Sequence, residues 1–422
     1  MEYKKVSPLA TLAIFSMALM GMGITVVTPA MQTLIAYWGP GGASGAEIPL
    51  TSIYMISTLP TLVMVPATLL AGAIAGKQVK FRTLAILGSA LFVIGGCLPA
   101  VITNSFAMVI FGRVLFGIGA GLISPLGNAL ILGLYEPKTA ASYLGYGTLL
   151  MNAGGIAFQY LGGVLSGMSW SMTFWGHGVA VIALIMAFFI PEPPKVEAPA
   201  GAQEVKKEKM SPLIWITGAG FFLFNIGNYP LMMNLSSIFT AKGIGDGVAA
   251  ATALSIYTVA GCVAGLIFGK VFATINRFAV PVGFLLAAVG QFFISMGTNV
   301  AMMSVGTACI GFGFSFVMPA FFAYIGMWTA PSTVALATSI NLGLNSVSGF
   351  VCSYYLSGIV AKFSPEAIEG VDGLQYPGFL YTEVYWAIAI SIAMAVIFLV
   401  FNPLKYAKNA PAAAPQEGPT EA

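Results

Sequence analysis

The hydrophobic pattern of the chain is a series of long apolar stretches separated by short polar segments. A helix needs about 20 mostly apolar residues to cross the hydrocarbon core of a bilayer. Twelve stretches reach that length, and several are long enough to predict tilted or kinked helices. They are numbered here as spans 1 to 12, at about 9–36, 49–75, 83–102, 106–134, 141–166, 170–190, 213–240, 247–269, 279–297, 300–327, 333–361 and 379–401.

Basic residues predict how these spans are oriented, because loops rich in Lys and Arg stay on the cytoplasmic side. With the N-terminus inside, the inner segments hold fourteen of the 17 basic residues, and the outer loops hold only Lys242 and Lys362. The first apolar stretch follows Lys4 and Lys5 but is too long for a cleaved secretory signal. We therefore expect a multi-pass protein of the cytoplasmic membrane with both termini in the cytoplasm.

The composition excludes several classes of protein. Charged residues are only 7% of the chain, too few for a soluble globular protein. Hydrophobic residues are 58% of the chain, too many for a disordered protein. The net charge of +3 is too small to suggest nucleic-acid binding. The 4 cysteines lie in apolar runs without metal-ligand spacing. We expect the lipid bilayer and a small-molecule substrate as partners, no metal or cofactor, no nucleic acid, and a monomer.

Two polar segments divide the chain. Residues 191–212 read PEPPKVEAPAGAQEVKKEKMSP, which predicts a flexible cytoplasmic linker between residues 1–190 and 213–402. The Ala- and Pro-rich residues 403–422 predict a disordered cytoplasmic tail.

The two halves are predicted to be repeats of one another. Two prolines and three glycines in and after span 4 recur 194 residues later. The pairs are Gly112 and Gly306, Gly117 and Gly311, Gly119 and Gly313, Pro125 and Pro319, and Pro137 and Pro331. A Gly-x-x-x-Gly-Lys string at residues 72–77 likewise recurs at 265–270, and we expect its glycines to pack helices closely rather than to bind phosphate.

Two local motifs belong to one family pattern. The loop between spans 2 and 3 reads GAIAGKQVKFR at residues 72–82, and span 4 carries RVLFGIGAG at residues 113–121. With the twelve spans and the two halves, they resemble the major facilitator superfamily over about residues 6–405. The resemblance implies an all-α membrane protein with 12 transmembrane helices in two six-helix pseudo-repeat bundles. It also implies a substrate site near the midplane, about which the two bundles rock.

The loop motif departs from the family pattern at its acidic position, which is Gly76 here. The aspartate that usually takes part in the inner gate is therefore missing. We predict that Lys77, Lys80 or Arg82 pairs instead with Glu136, after span 4. Such an exposed pair contributes at most about 1 kcal/mol.

Ionisable residues inside the spans are the first candidates for function. Arg113 lies well inside span 4, and His177 lies in span 6. An intramembrane arginine is costly unless it finds partners. Arg113 could anchor an anionic substrate, take part in proton coupling, or bind the backbone carbonyls of neighbouring helices. His177 could carry protons or pack as a neutral side chain, and Glu383, at an outer span end, is a second proton-coupling candidate.

Neutral polar residues supply the remaining candidates for substrate binding. Several are spaced so that they share a helix face: Asn152 shares one with Gln159, and Asn341 shares one with Asn345. Each could instead join helices by hydrogen bonds. The predicted substrate-binding set, besides Arg113, is Asn128, Asn152, Gln159, Asn225, Asn228, Tyr229, Asn341 and Asn345.

These features favour a transporter over an enzyme, because no catalytic constellation is present. The leading hypothesis is a secondary active or facilitative transporter for a small organic anion such as a carboxylate, with Arg113 as counter-charge. The alternative is an exporter of hydrophobic drugs or metabolites, although Phe158 and Gln159 replace the Gly-Pro pair of proton-antiporting exporters in span 5. Transport could be uncoupled, or coupled to protons through His177, Glu383 or the substrate.

Overall fold

The computed structural model describes residues 6–76, 78–193, 211–329, 337, 340–352, 354 and 377–406. Each of the twelve predicted spans contains helix within this part of the chain. The helices are α1 (Pro8–Met20), α2 (Met31–Trp38), α3 (Leu50–Ile74), α4 (Phe81–Val101), α5 (Phe106–Ile123), α6 (Leu126–Leu134), α7 (Pro137–Ser166), α8 (Val181–Ala187), α9 (Ile214–Met233), α10 (Leu235–Ala241), α11 (Gly247–Ile275), α12 (Ala279–Met296), α13 (Val300–Trp328), α14 (Ile340–Cys352) and α15 (Pro377–Val400). The predicted all-α membrane class is confirmed.

Several spans are interrupted rather than continuous. Span 1 consists of α1 and α2, joined by short 3₁₀ turns and bent by 47°. Span 4 breaks into α5 and α6 at Pro125, whereas Pro319, at the corresponding position of the second half, lies inside the continuous α13. Proline removes one helical hydrogen bond, and whether the helix breaks depends on what packs around it.

Short polar side chains begin several helices. The Ser7 hydroxyl accepts a hydrogen bond from the Ala10 N–H at 3.2 Å, at the start of α1. The Asp246 carboxylate accepts from Val248 and Ala249 at 3.0 and 3.1 Å, at the start of α11. These caps satisfy N–H groups that have no partner within the helix.

Lys242 performs the opposite function at a helix C-terminus. Its ammonium donates to the carbonyls of Ile294, Ser295 and Gly297, at the end of α12, at 2.9, 2.6 and 3.1 Å. Burial lowers the pKa of this ammonium. The cation thereby ties the loop after α10 to the end of α12.

The glycines of the 194-residue repeat occupy equivalent contacts in the two halves. A Cβ on Gly112 would lie 2.8 Å from the Gly95 carbonyl oxygen, and a Cβ on Gly306 would lie 2.7 Å from that of Gly290. Both pairs join the third and fourth spans of their half. The same close approach recurs about two turns away, between Gly119 and Gly88 and between Gly313 and Gly283.

The predicted close packing of the two Gly-x-x-x-Gly-Lys strings is wrong for the described conformation. A Cβ on Gly72, Gly265 or Gly269 would meet no atom within 4 Å. Gly76 serves a turn instead, since its φ of +71° is a conformation that favours glycine. These glycines lie at the side of the molecule that carries Lys80, Arg82, Arg277 and Lys405, here termed the basic side.

The two halves close against each other on the side opposite the basic side. One buried cluster there combines residues of both halves, including Val27 and Met31 with Leu231 and Phe239. Further buried clusters toward the basic side are each built within a single half. The described residues therefore form a bundle pair that is sealed at one face and parted at the basic face.

We expect alanine at the packed repeat glycines to destabilise the protein. Gly112→Ala and Gly306→Ala should each lower the free energy of unfolding by about 1–3 kcal/mol, because the new methyl group overlaps a backbone carbonyl. Thermal melting of the detergent-purified protein measures the loss. Gly72→Ala and Gly265→Ala are matched controls and should melt at or above the temperature of the parent. Equal losses in all four variants would contradict the packing.

Candidate functional site at the centre of the bundle

Arg113 is completely buried in α5, with 0% of its surface exposed. Its Nε donates to the carbonyl oxygen of Ile56, in α3, at 2.7 Å. Its Nη1 lies 3.4 Å from Nε2 of His177, and its guanidinium carbon lies 4.3 Å from the centre of the Phe116 ring. The side chain thus joins spans 2, 4 and 6 of the first half.

The carbonyl that Arg113 binds is available because of a proline. Pro60 lies inside α3, four residues after Ile56, and its missing N–H leaves the Ile56 oxygen without a helical donor. The same arrangement occurs a second time in this half. Pro125 leaves the Gly121 carbonyl free, and the Thr68 hydroxyl donates to it at 3.1 Å. In both cases a neighbouring side chain supplies the hydrogen bond that the proline removed.

The partners of His177 determine its tautomer. A guanidinium only donates hydrogen bonds, so Nε2 facing Arg113 accepts. Nδ1 therefore carries the proton and donates to the carbonyl oxygen of Phe174 at 3.0 Å. Both ring nitrogens are engaged, and the imidazole is neutral and buried, with 0% of its surface exposed. In the described conformation His177 is an acceptor for Arg113.

One atom of the guanidinium remains unused. Nη2 of Arg113 is buried and has no hydrogen-bond partner within the described part of the chain. A buried donor without a partner costs about 1–3 kcal/mol, and more when it is charged. Arg113 can therefore donate a hydrogen bond from Nη2 to one further acceptor.

Tyr229 lies at the junction between the two halves. Its hydroxyl approaches Ser57, one residue after the carbonyl that Arg113 holds. Its ring faces span 11, where a Cβ on Gly349 would lie 3.9 Å from Tyr229 Cε1. A hydrogen bond between the halves lies beside it, from the Tyr54 hydroxyl to Oδ1 of Asn234 at 3.0 Å.

Asn225 and Asn345, both in the predicted substrate-binding set, are in contact with each other. The Asn225 amide nitrogen donates to Oδ1 of Asn345, and both side chains are partly exposed. Asn225 lies one helical turn from Tyr229, toward the basic side. The pair is therefore positioned between Tyr229 and the open side of the bundle.

Asn228 and Asn341 lie in helix interfaces instead. Asn228 Oδ1 accepts from Gln291 Nε2 at 2.7 Å, and Gln291 Oε1 accepts from the Ser391 hydroxyl at 3.3 Å. This buried network joins spans 7, 9 and 12. Asn341 donates to the Ile214 carbonyl at 3.3 Å, which joins spans 11 and 7.

The two polar side chains of span 5 differ in exposure. Gln159 is buried, and its Oε1 accepts from the Ser255 hydroxyl, in α11, at 3.2 Å. It thereby belongs to the contact between the halves. Asn152, two turns toward the basic side on the same face, is partly exposed. Asn128, in α6, is exposed.

The predicted gate residues are located at the basic side. Lys80 and Arg82 are exposed at the start of α4, and Arg82 Nε donates to the Ile190 carbonyl at 2.8 Å. Glu136 is exposed at the start of α7, where its side chain caps no helical N–H. Its pairing with a basic residue stays a prediction. Lys77 and the side chain of Glu383 lie outside the described residues.

Glu192, which the sequence reasoning did not select, caps α4. Its two carboxylate oxygens accept from the N–H groups of Phe81 and Arg82 at 3.0 and 2.9 Å. The segment that follows span 6 is thus fastened to the loop between spans 2 and 3. Nothing in the local sequence links these segments, which lie more than a hundred residues apart.

A cleft of about 410 Å³ opens between the halves near the basic side. Its walls come from spans 2, 7 and 11, and within the described residues all the side chains that line it are apolar. They are Leu62, Val65, Pro66, Trp215, Ile340, Leu344 and Val347, with the backbone of Gly343. A concave apolar site beside a few neutral polar groups is typical of small-molecule sites.

We expect Glu192→Ala to lower the stability of the protein by about 1 kcal/mol, because the first turn of α4 loses its cap. Thermal melting of the purified variant measures this effect. Glu136→Ala removes a second acidic residue of the same face and is the control, with an expected change of less than half that size. The reverse order would favour Glu136 as the acidic partner of the basic loop.

Comparison with known proteins agrees with this architecture. The family model of the Major Facilitator Superfamily matches residues 13–280 and 246–421. The D-xylose-proton symporter has a TM-score of 0.72 at 15% identity, covering 93% of this chain and 97% of that one. A bacterial homolog of the human lysosomal transporter Spinster, inward-facing and unoccupied, has a TM-score of 0.69 at 18% identity, covering 95% and 97%.

Curated relatives match over part of their length. The quinolone resistance protein NorA of Staphylococcus aureus is 25% identical over 202 residues, which are 48% of this chain and 50% of that protein. The MFS-type transporter ucsD of Acremonium sp is 29% identical over 187 residues, 43% of this chain and 30% of that protein. The chain thus spans half or less of the length of these relatives. The family match extends over nearly all spans, and the chain belongs to the Major Facilitator Superfamily of multi-pass membrane transporters.

Proposed function

We propose that the protein is a secondary transporter that exports small, largely apolar organic molecules across the cytoplasmic membrane. The observation that carries this proposal is the cleft at the basic side, whose walls are entirely apolar among the described residues. In this proposal the basic side faces the cytoplasm, as the distribution of Lys and Arg predicts. The described conformation would then receive its substrate from the inside.

The polar groups near the cleft suit an uncharged or weakly polar substrate. Asn225 and Asn345 are partly exposed and carry carboxamides, which both donate and accept hydrogen bonds without charge. Tyr229 adds a hydroxyl one turn away. Apolar walls supply affinity of about 25 cal/mol for each Å² buried, and the amides orient the molecule.

The relatives support the direction of transport. NorA is described as a quinolone resistance protein, a name consistent with removal of a drug from the cell. It matches this chain over half of its own length, so its activity enters here as part of the proposal. The neighbour described as a D-xylose-proton symporter makes protons a reasonable coupling ion. His177 and Glu383 are the candidate carriers, or transport is uncoupled.

A small organic anion is a second candidate substrate, favoured by one observation. Nη2 of Arg113 is buried without a partner in the described part of the chain, and a carboxylate would satisfy it. The complete burial of Arg113 weighs against direct contact in this conformation. An anion would therefore have to reach the guanidinium in another state of the cycle.

Transport by the purified protein in liposomes tests the leading proposal. We expect Leu344→Asn to reduce transport of a lipophilic dye about tenfold, because a polar group enters the apolar wall and removes about 1.4 kcal/mol of binding. Leu344→Met keeps the apolar surface and should transport at nearly the parental rate. Parental transport by the Asn variant would show that the cleft is not the route.

Arg113 variants test the second candidate. If an anion binds the guanidinium, Arg113→Ala should lose preference for a carboxylate over its amide analogue by about ten- to a hundredfold, and Arg113→Lys should lose less. Calorimetry of the binding of both ligands to the folded variants measures the preference. An unchanged preference in Arg113→Ala would exclude Arg113 as the counter-charge.

A further inference from the structure

We infer that Arg113 is a positioning residue for the closed face of the bundle, and that it acts through the proline-freed carbonyl of Ile56. This inference is independent of which substrate is carried. It joins two facts about one helical turn of α3: the Arg113 bond to Ile56, and the contact of the same turn with the other half through the Tyr54 hydrogen bond and the approach of Ser57 to Tyr229.

The contact of this turn with the other half is here termed the clasp. It consists of the hydrogen bond from Tyr54 to Asn234 and the approach of Ser57 to the Tyr229 hydroxyl. Tyr54 and Ser57 are three residues apart in α3, and Ile56 lies between them. Both clasp residues of α3 are buried, with 1% of each exposed. The turn of α3 that carries the clasp is therefore the turn whose carbonyl Arg113 holds.

That turn needs a hydrogen-bond donor from outside the helix, because Pro60 removes the hydrogen bond that would normally stabilise it. A helix with a proline at this point can bend about the missing bond. Arg113 replaces the missing donor at 2.7 Å. The backbone of Pro60 also lies close to span 4, where a Cβ on Gly117 would lie 2.9 Å from the Pro60 carbonyl oxygen.

Arg113 is itself held firmly enough to fasten the turn. Its Nη1 faces the accepting Nε2 of His177, and the Phe116 ring lies beneath its guanidinium. His177 is held in turn by the Phe174 carbonyl. The fastening therefore runs from spans 4 and 6, through Arg113, to the bend of span 2, and from there across the clasp to span 7.

The consequence is a bias on the conformational equilibrium. Without Arg113 the turn around Ile56 can move, the clasp weakens, and the closed face opens more often. In alternating access the basic side then closes, so the cleft between spans 2 and 11 becomes inaccessible.

A double-mutant cycle with Pro60 tests this inference. Pro60→Ala restores the N–H that serves the Ile56 carbonyl, so the bond from Arg113 becomes redundant. Arg113→Leu alone should reduce access to the cleft about tenfold, and Arg113→Leu with Pro60→Ala should recover most of it. Pro66→Ala is the matched control, because it restores an N–H that donates to the Leu62 carbonyl, about two turns away, and should rescue nothing.

Access is measured as the rate of maleimide labelling of Gly343→Cys, without substrate, in inside-out vesicles of protein whose four native cysteines have been replaced. Gly343 lines the cleft, and a side chain there meets no atom within 4 Å. Because no substrate is present, the result does not depend on the proposed cargo. Gel filtration and melting temperature establish that each variant is folded.

Four results would overturn the inference. Rescue by Pro66→Ala equal to that by Pro60→Ala would show a general effect of proline removal. Failure of Pro60→Ala to rescue a folded Arg113→Leu protein would place the role of Arg113 elsewhere. Unchanged labelling in Arg113→Leu would show that the residue does not position the clasp. His177→Gln, which keeps an acceptor for Arg113, should label faster than His177→Phe, and the reverse order also contradicts the fastening.

Discussion

The structure depends on the requirement that backbone polar groups inside a bilayer find partners within the protein. Prolines inside the spans release carbonyl oxygens, and no water is at hand to bind them. The two cases in the first half show the response: Arg113 donates to the Ile56 oxygen, and Thr68 donates to the Gly121 oxygen. Arg113 comes from span 4 and Thr68 from span 2, so in these two cases the carbonyl that a proline releases forms a contact between helices.

The same requirement explains why the buried amides are not one functional set. Asn228, Gln291 and Ser391 satisfy one another across three spans, and Gln159 joins Ser255 across the two halves. Among the amides of the described residues, only Asn225 and Asn345 combine mutual contact with partial exposure. A polar residue in a span is thus available to a substrate when its neighbours leave it accessible, and contributes to packing when they do not.

The glycines likewise form two groups, those that allow helices to pack closely and those that lie at the basic side. Those of the third and fourth spans of each half lie against backbone carbonyls, so these two spans pack closely in both halves. Three of the four in the Gly-x-x-x-Gly-Lys strings, Gly72, Gly265 and Gly269, face open space at the basic side. Closely packed halves that share a buried cluster at one face and are parted at the other suit alternating access.

The sequence by itself determined the helical membrane class, the number of spans and the 194-residue relation, because burial in lipid imposes length and apolarity on every span. It also marked Arg113, since an intramembrane charge stands out. Only the tertiary structure decided that Arg113 binds Ile56, that Glu192 caps α4 and that three of the four string glycines are unpacked. Such contacts join segments distant in the chain, and their geometry follows from how whole helices pack, which local pattern does not encode.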